Sequence, residues 1–165
     1  TTIDHFKEFY TPSKQKEAFL IKEAIDSSIT VLSAELKTRD ITLDIQYNIN
    51  DNIKINGIKN ELSQVILAIL SNASDALKDS EEPYINILID ANDAEIIISI
   101  FNNGKQIDTR DINKIFEPYF STKKKGTGIG LYLSKLILTR SFDGDLQVKN
   151  KDNGVAFILS FDKTI

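Results

Sequence analysis

The chain has 165 residues, 20 Lys+Arg against 24 Asp+Glu, one His, and no Cys, Met or Trp. That is the size of one globular domain, and 41% apolar residues fill one core. Disulfides, thiolate metal sites and Cys nucleophiles are excluded, and any imidazole chemistry falls to His5. A net charge of −4 without basic clustering argues against a duplex-binding surface. No apolar run approaches the ~18 residues of a membrane span, and no signal-peptide pattern is present.

Residues 1–10 place Ile3, Phe6 and Phe9/Tyr10 at helical spacings before Pro12 interrupts them. So short a stripe, on a chain that opens Thr1-Thr2, reads as the tail of a helix from a longer protein. A helix is predicted over about 16–38, with Phe19, Ala24, Ile25, Ile29, Leu32 and Leu36 on its core face. Strands follow at roughly 41–47 and 53–55, with the polar stretch Asn48–Asn52 as the turn between them. Residues 58–78 form the clearest helix: Leu62, Ile66, Ile69, Ala73 and Leu77 share a face. Glu61, Val65, Ala68 and Asn72 line the neighbouring stripe, so Asn72 stands at the margin of the buried face. A hairpin through 84–90 and 95–101 turns at Ala91-Asn92-Asp93. A helix covers about 128–140, and a last pair of strands covers 145–149 and 155–161. Helices and strands that do not alternate as βαβ units predict an α+β fold. Its form is a two-layer sandwich, with about three helices on one face of a mixed, mostly antiparallel sheet of about five strands.

Glycine is scarce, yet Gly104, Gly126, Gly128 and Gly130 fall close together, three of them in GTGIGL at a helix start. Free N–H groups of a first helical turn, the positive dipole end and close backbone approach make an anion site there. A glycine-rich turn without a ligand is the alternative. No GK[ST] follows, so this is not a Walker loop, and the spacing is wrong for a dinucleotide fingerprint. Ahead of it, IFEPYFSTKKK sets Phe116, Tyr119 and Phe120 as apolar anchors around Pro118, then a cationic strip. That is the composition of a flexible lid able to reach phosphates, or of a plain solvated basic loop.

Taken in order, these segments resemble a known family. NELSQVILAILSNASDAL is similar to the N box of bacterial sensor histidine kinases, FNNGKQI to their first glycine box, and IFEPYFSTK to the F box. KGTGIGLYLSK resembles the second glycine box and GDLQVKNKDNGVAFILSF the terminal hairpin, so the likeness spans roughly 16–162. It implies the catalytic and ATP-binding domain, a Bergerat-type α/β sandwich shared with DNA gyrase, the heat-shock chaperones and MutL. Residues 1–12 resemble the end of the dimerisation and phosphoacceptor hairpin, leaving 13–165 as the ATP-binding domain with a flexible ATP lid.

The resemblance also assigns residues. Asn72 matches the amide that helps hold Mg2+, a hard cation suited to oxygen ligands and water. Gly126, Thr127, Gly128, Ile129, Gly130 and Leu131 match the phosphate-contacting backbone, and Lys123 falls in the lid. Asn102 and Gly104 lie in the first glycine box, and Ile107 would contribute to the adenine floor. Three positions depart from the family pattern. Asn102 stands where an Asp accepts the adenine amino group, at an expected cost of about 1–3 kcal/mol. Gln106 replaces the second glycine of that box, where the backbone would need positive φ. Ala68 stands where kinases carry Asn and the ATPase relatives a Glu base.

The implied function is presentation of the γ-phosphate of Mg-ATP to a histidine outside this chain, largely by positioning and charge neutralisation. His5, at the end of the hairpin, does not match the acceptor context. Implied partners are the phosphoacceptor hairpin, as a homodimer in the full-length protein, and a response regulator, with no nucleic acid. The expected location is cytoplasmic, with membrane anchoring and the fragment's own oligomeric state left open. A non-catalytic regulatory module is the second reading, carried by the three departures. An ATPase of the gyrase class is the third, and Ala68 weighs against it.

Overall fold

The computed structural model describes residues 16–50, 52–120 and 130–163. Glu17–Leu20 is a short strand (β1), followed directly by the helix Ile21–Thr38 (α1). Thr42–Tyr47 (β2) and Lys54–Gly57 (β3) precede the helix Lys59–Ala76 (α2). Tyr84–Ala91 (β4), Glu95–Asn102 (β5), the helix Gly130–Ser141 (α3), Asp145–Lys151 (β6) and Gly154–Asp162 (β7) complete the order. Five strands form one sheet in the order β2-β4-β5-β7-β6, and β1 pairs with β3 in a second, two-stranded sheet.

The large sheet is mixed, as expected. β2 and β4 run parallel because β3 and α2 cross over between them, whereas the other neighbours pair antiparallel. Alternation sets the faces. Ile85, Ile87 and Ile89 of β4, Ile96, Ile98 and Ile100 of β5, and Phe157, Leu159 and Phe161 of β7 are all buried. They meet the apolar stripes of the helices, including Ala24, Ile25, Leu32 and Leu36 of α1 and Leu62, Ile66, Ile69 and Ala73 of α2. Each buried aliphatic or aromatic side chain contributes roughly 1.5–3 kcal/mol. Where α1 and α2 cross, the buried Ser28 hydroxyl bonds the Ser63 carbonyl at 2.8 Å. Arg39, just past α1, donates to Ser74 Oγ at 2.9 Å and Asp75 Oδ1 at 3.0 Å on α2.

Two local expectations change. Residues 17–20, expected to open the first helix, are extended and pair with β3, from Glu17 opposite Gly57 to Leu20 opposite Lys54. The helical spacing of Phe19 with Ala24 carried no information about a partner strand some thirty-five residues away. Nor do the strands at 42–47 and 54–57 pair with each other. The polar stretch between them transfers the chain from one sheet to the other, with Ile53 N–H bonded to the Asn50 carbonyl.

Candidate functional site

Strand β5 alternates Ile96, Ile98 and Ile100 toward the helices, and the next inward position is Asn102. It is 2% exposed, an amide where the run of isoleucines ends. Register places it opposite Ile85 at the start of β4 and Val155 at the start of β7. Because α2 leads into β4 through residues 77–83, the last turns of α2, with Asn72 and Ala76, lie at this same end. The other end of the sheet is where α3 delivers the chain to β6, since Asp145 pairs with Ser160. Gly130 and Leu131, at the start of α3, are therefore at the Asn102 end. Chain path and register thus bring Asn72, Asn102, Gly104, Ile107, Gly130 and Leu131 to one end of the sandwich. Lys123, Gly126, Thr127, Gly128 and Ile129, with the expected lid, lie outside the described residues.

The loop after β5 is built from side-chain amides bonded to backbone. Asn102 Oδ1 accepts the Gly104 N–H at 3.0 Å. A Cβ on Gly104 would stand 2.9 Å from the Ala76 carbonyl oxygen, so only glycine lets the loop lie against the end of α2. Asn103 turns the other way: its Oδ1 accepts the Tyr84 N–H and its Nδ2 donates to the Glu82 carbonyl, both at 2.8 Å. Ile107, half-buried, is held on both backbone groups by Asn150 of β6. Its N–H donates to Asn150 Oδ1 at 2.9 Å, and its carbonyl accepts from Asn150 Nδ2 at 2.8 Å. Gln106 Nε2 donates to the Lys151 carbonyl beside it. Positive φ at non-glycine described residues occurs at Asp40, Asp79, Tyr119 and Asp143, so Gln106 occupies ordinary backbone and its side chain serves as a tether. Gly154 closes the arrangement, since a Cβ there would overlap the Asn102 carbonyl oxygen and press on the Phe101 ring.

Sequence reasoning missed Asn150. The signal was present: Leu146, Val148 and Asn150 share one strand face, and the third is polar.

On α2, Asn72 is half-buried, one turn before Ala76, and Ala68 offers only a methyl group one turn earlier. The segment 108–120 winds through successive turns. Ile115 is buried, and Phe116 and Phe120 pack against the core. Tyr119, expected as a third anchor, instead stands 77% exposed with φ 67. Its ring therefore lies in solvent and not on the core. Phe116 meets Phe157 edge-on, with centroids 6.5 Å apart. Lys135 of α3 sets its ammonium 4.8 Å from the Phe116 ring centroid and reaches the Leu146 carbonyl at 3.3 Å and Asp145 at 3.5 Å. One cation thereby links α3, this aromatic segment and β6. At the segment's start, the Arg110 side chain and then its backbone N–H hold the exposed Asp108 carboxyl below its ordinary value.

Two surface clefts, of about 550 and 710 Å3, are lined by neither Asn72 nor Asn102. One is lined by Glu82, Tyr84 and Asn103, the other by residues of β1 and β3. Among the described residues no group of three or more His, Cys, Asp or Glu side chains is placed to hold a metal ion.

Residues 57–165 match the family described as histidine kinase-, DNA gyrase B- and HSP90-like ATPase. The chain belongs to that family. Nucleotide use is thereby a property of its fold family. It is 30% identical to Sporulation kinase A of Bacillus subtilis over 149 residues, which are 90% of this chain and 24% of that protein. It is also 30% identical to the sensor histidine kinase ZraS of Escherichia coli K12, over 87% of this chain and 30% of ZraS. The catalytic domain of histidine kinase ThkA superposes with a TM-score of 0.82 at 25% identity, covering 91% of this chain and 99% of that domain. The α+β sandwich is therefore the fold of histidine kinase catalytic domains. The chain spans about a quarter to a third of the length of the curated relatives it matches. Among the described residues no helix is long and apolar enough to cross a membrane.

Proposed function

We propose that this domain binds Mg-ATP and presents the γ-phosphate to a histidine on the phosphoacceptor hairpin of a sensor histidine kinase. The observation that carries this reading is the gathering of Asn72, Asn102, Gly104, Gly130 and Leu131 at one end of a sandwich of that family. Residues 1–12 are read as the end of the hairpin and 13–165 as the ATP-binding domain. His5 is not the acceptor.

Within the site, Ile107 and the inner strand faces form the floor for the base, while the backbone of 126–131 and Lys123 take the phosphates. The amide oxygen of Asn72, at the rim of the buried face, is the ligand for Mg2+. One protein amide, with no carboxylate cage among the described residues, would suit a hard cation that is otherwise held by water and ligand oxygens. Held by Asn72, Mg2+ would supply charge neutralisation for phosphoryl transfer. Ala68 has no group to take a proton from water, so the site favours transfer to a positioned imidazole over hydrolysis.

The partners follow from this reading: the phosphoacceptor hairpin of a homodimer, and a response regulator, as in the complex of ThkA with the response regulator protein TrrA. The proposed location is the cytoplasmic side of the cell, where ATP is supplied.

Titration calorimetry with a non-hydrolysable ATP analogue tests the reading. Saturable binding that strengthens with Mg2+ is expected. Absence of heat at millimolar nucleotide, with and without Mg2+, overturns it and leaves a regulatory module.

A further inference from the structure

Lys135 stands in the second turn of α3, and its ammonium serves groups from two other parts of the chain. It lies 4.8 Å from the centroid of the Phe116 ring, 3.3 Å from the Leu146 carbonyl oxygen and 3.5 Å from Asp145 Oδ1. An ammonium has three donors and no acceptor, so a ring face, a carbonyl and a carboxylate use it fully. Asp145 and Leu146 open β6, and bonds to them secure α3 to the sheet. The contact with Phe116 goes further, because it reaches a segment made of successive turns.

Phe116 is itself fixed. It packs against the core, with its ring plane at 85° to that of Phe157 on β7. Four residues on, Phe120 also packs against the core, and its N–H bonds the Glu117 carbonyl at 3.3 Å. On the other side, α3 begins at Gly130. There the buried Ser134 hydroxyl bonds back to the Gly130 carbonyl at 2.8 Å, and Leu131 packs against the core. Lys135 therefore ties together the two stems that flank residues 121–129. A side-chain contact across two stems fixes their separation, which lowers the entropy lost when the chain between them is ordered on a ligand.

Resting on the nucleotide reading above, we propose that Lys135 is a positioning residue for the triphosphate, acting through Phe116 and α3 and touching no phosphate itself. Its donors are spent on protein groups. Its charge holds Phe120 and Gly130 at a fixed separation and so orients the N–H groups at the start of α3. Methionine at this position keeps most of the stem and loses the charge, whereas arginine keeps the charge and can stack on the ring. The Lys135 side chain is 40% exposed, which leaves room for either.

Titration calorimetry of the chain with Mg2+ and a non-hydrolysable ATP analogue tests this, with the folded fraction corrected from urea unfolding. Lys135→Met should weaken binding about three- to tenfold, and Lys135→Arg should restore it to within about twofold. Phe116→Leu should weaken it to a similar degree. Adding Lys135→Met to Phe116→Leu should cause little further loss, because both changes remove one contact. Unchanged affinity in Lys135→Met, no recovery in Lys135→Arg, or losses that multiply in the double variant overturn the proposal. A direct contact between Lys135 and phosphate predicts the last of these. Any of them, with the unaltered chain binding, strikes the positioning role alone. Failure of the unaltered chain to bind overturns the nucleotide reading with it.

Discussion

Where β5 begins, the sandwich is closed by rings and glycine; where it ends, it is closed by amides. At the first end Phe142 and Phe161 are fully buried with centroids 6.0 Å apart, and Gly144 lies so near β7 that a Cβ would overlap the Ser160 carbonyl oxygen. At the other end Asn102, Asn103, Gln106 and Asn150 each bond backbone around the 102–107 loop. Apolar closure seals a surface and leaves nothing to offer a ligand. Closure by directional bonds holds a loop in place and keeps polar groups at the edge of the core.

The sealed end supplies the largest expected effect. Phe161→Ala removes a fully buried ring and should cost about 3–5 kcal/mol in urea unfolding. Nucleotide affinity, corrected for the folded fraction, should hold. A matched pair then sets the two ends against each other. Gly144→Ala and Gly154→Ala both force a methyl into backbone, and each should destabilise by about 1–3 kcal/mol. Only Gly154→Ala, against Asn102, should also weaken nucleotide binding. Equal effects of the two on affinity would break the division between the ends.

Asn150→Ala is gentler. It strips Ile107 of both backbone partners and should cost about 1 kcal/mol. Amide exchange at Ile107 should quicken, and base-containing nucleotides should bind more weakly while inorganic triphosphate is unaffected. The smallest effect belongs to Asp108. Its carboxyl is held below the ordinary value, so its bonds to Arg110 stand at neutral pH and are lost as pH falls through that lowered value. Asp108→Ala should speed exchange of the Arg110 N–H without a measurable change in Tm.

Much of the fold was legible because its signals are local. The isoleucines of β4 and β5 alternate, and the face of α2 from Leu62 to Leu77 repeats at helical spacing. What escaped depends on partners distant in sequence. Phe19 fits a helix until Gly57 and its neighbours offer a strand. Tyr119 matches its aromatic neighbours in composition but not in exposure. At the site, the resemblance named Asn72, Asn102 and Gly104, and chain path puts them at one end. That the Asn102 amide oxygen accepts the Gly104 N–H is a matter of geometry that spacing does not encode. Asn150 showed itself only as a polar break in an inward-facing row, and its meaning required Ile107, forty-three residues earlier in the chain.

The two consecutive asparagines that end β5 carry separate duties. Asn103 and the distant Asn150 fix the shape of the loop, whereas Asn102 contributes one internal bond, to Gly104. The loop's shape is therefore shared between a residue that follows β5 and a residue of β6, so this end of the sandwich is ordered only once both strands are in place.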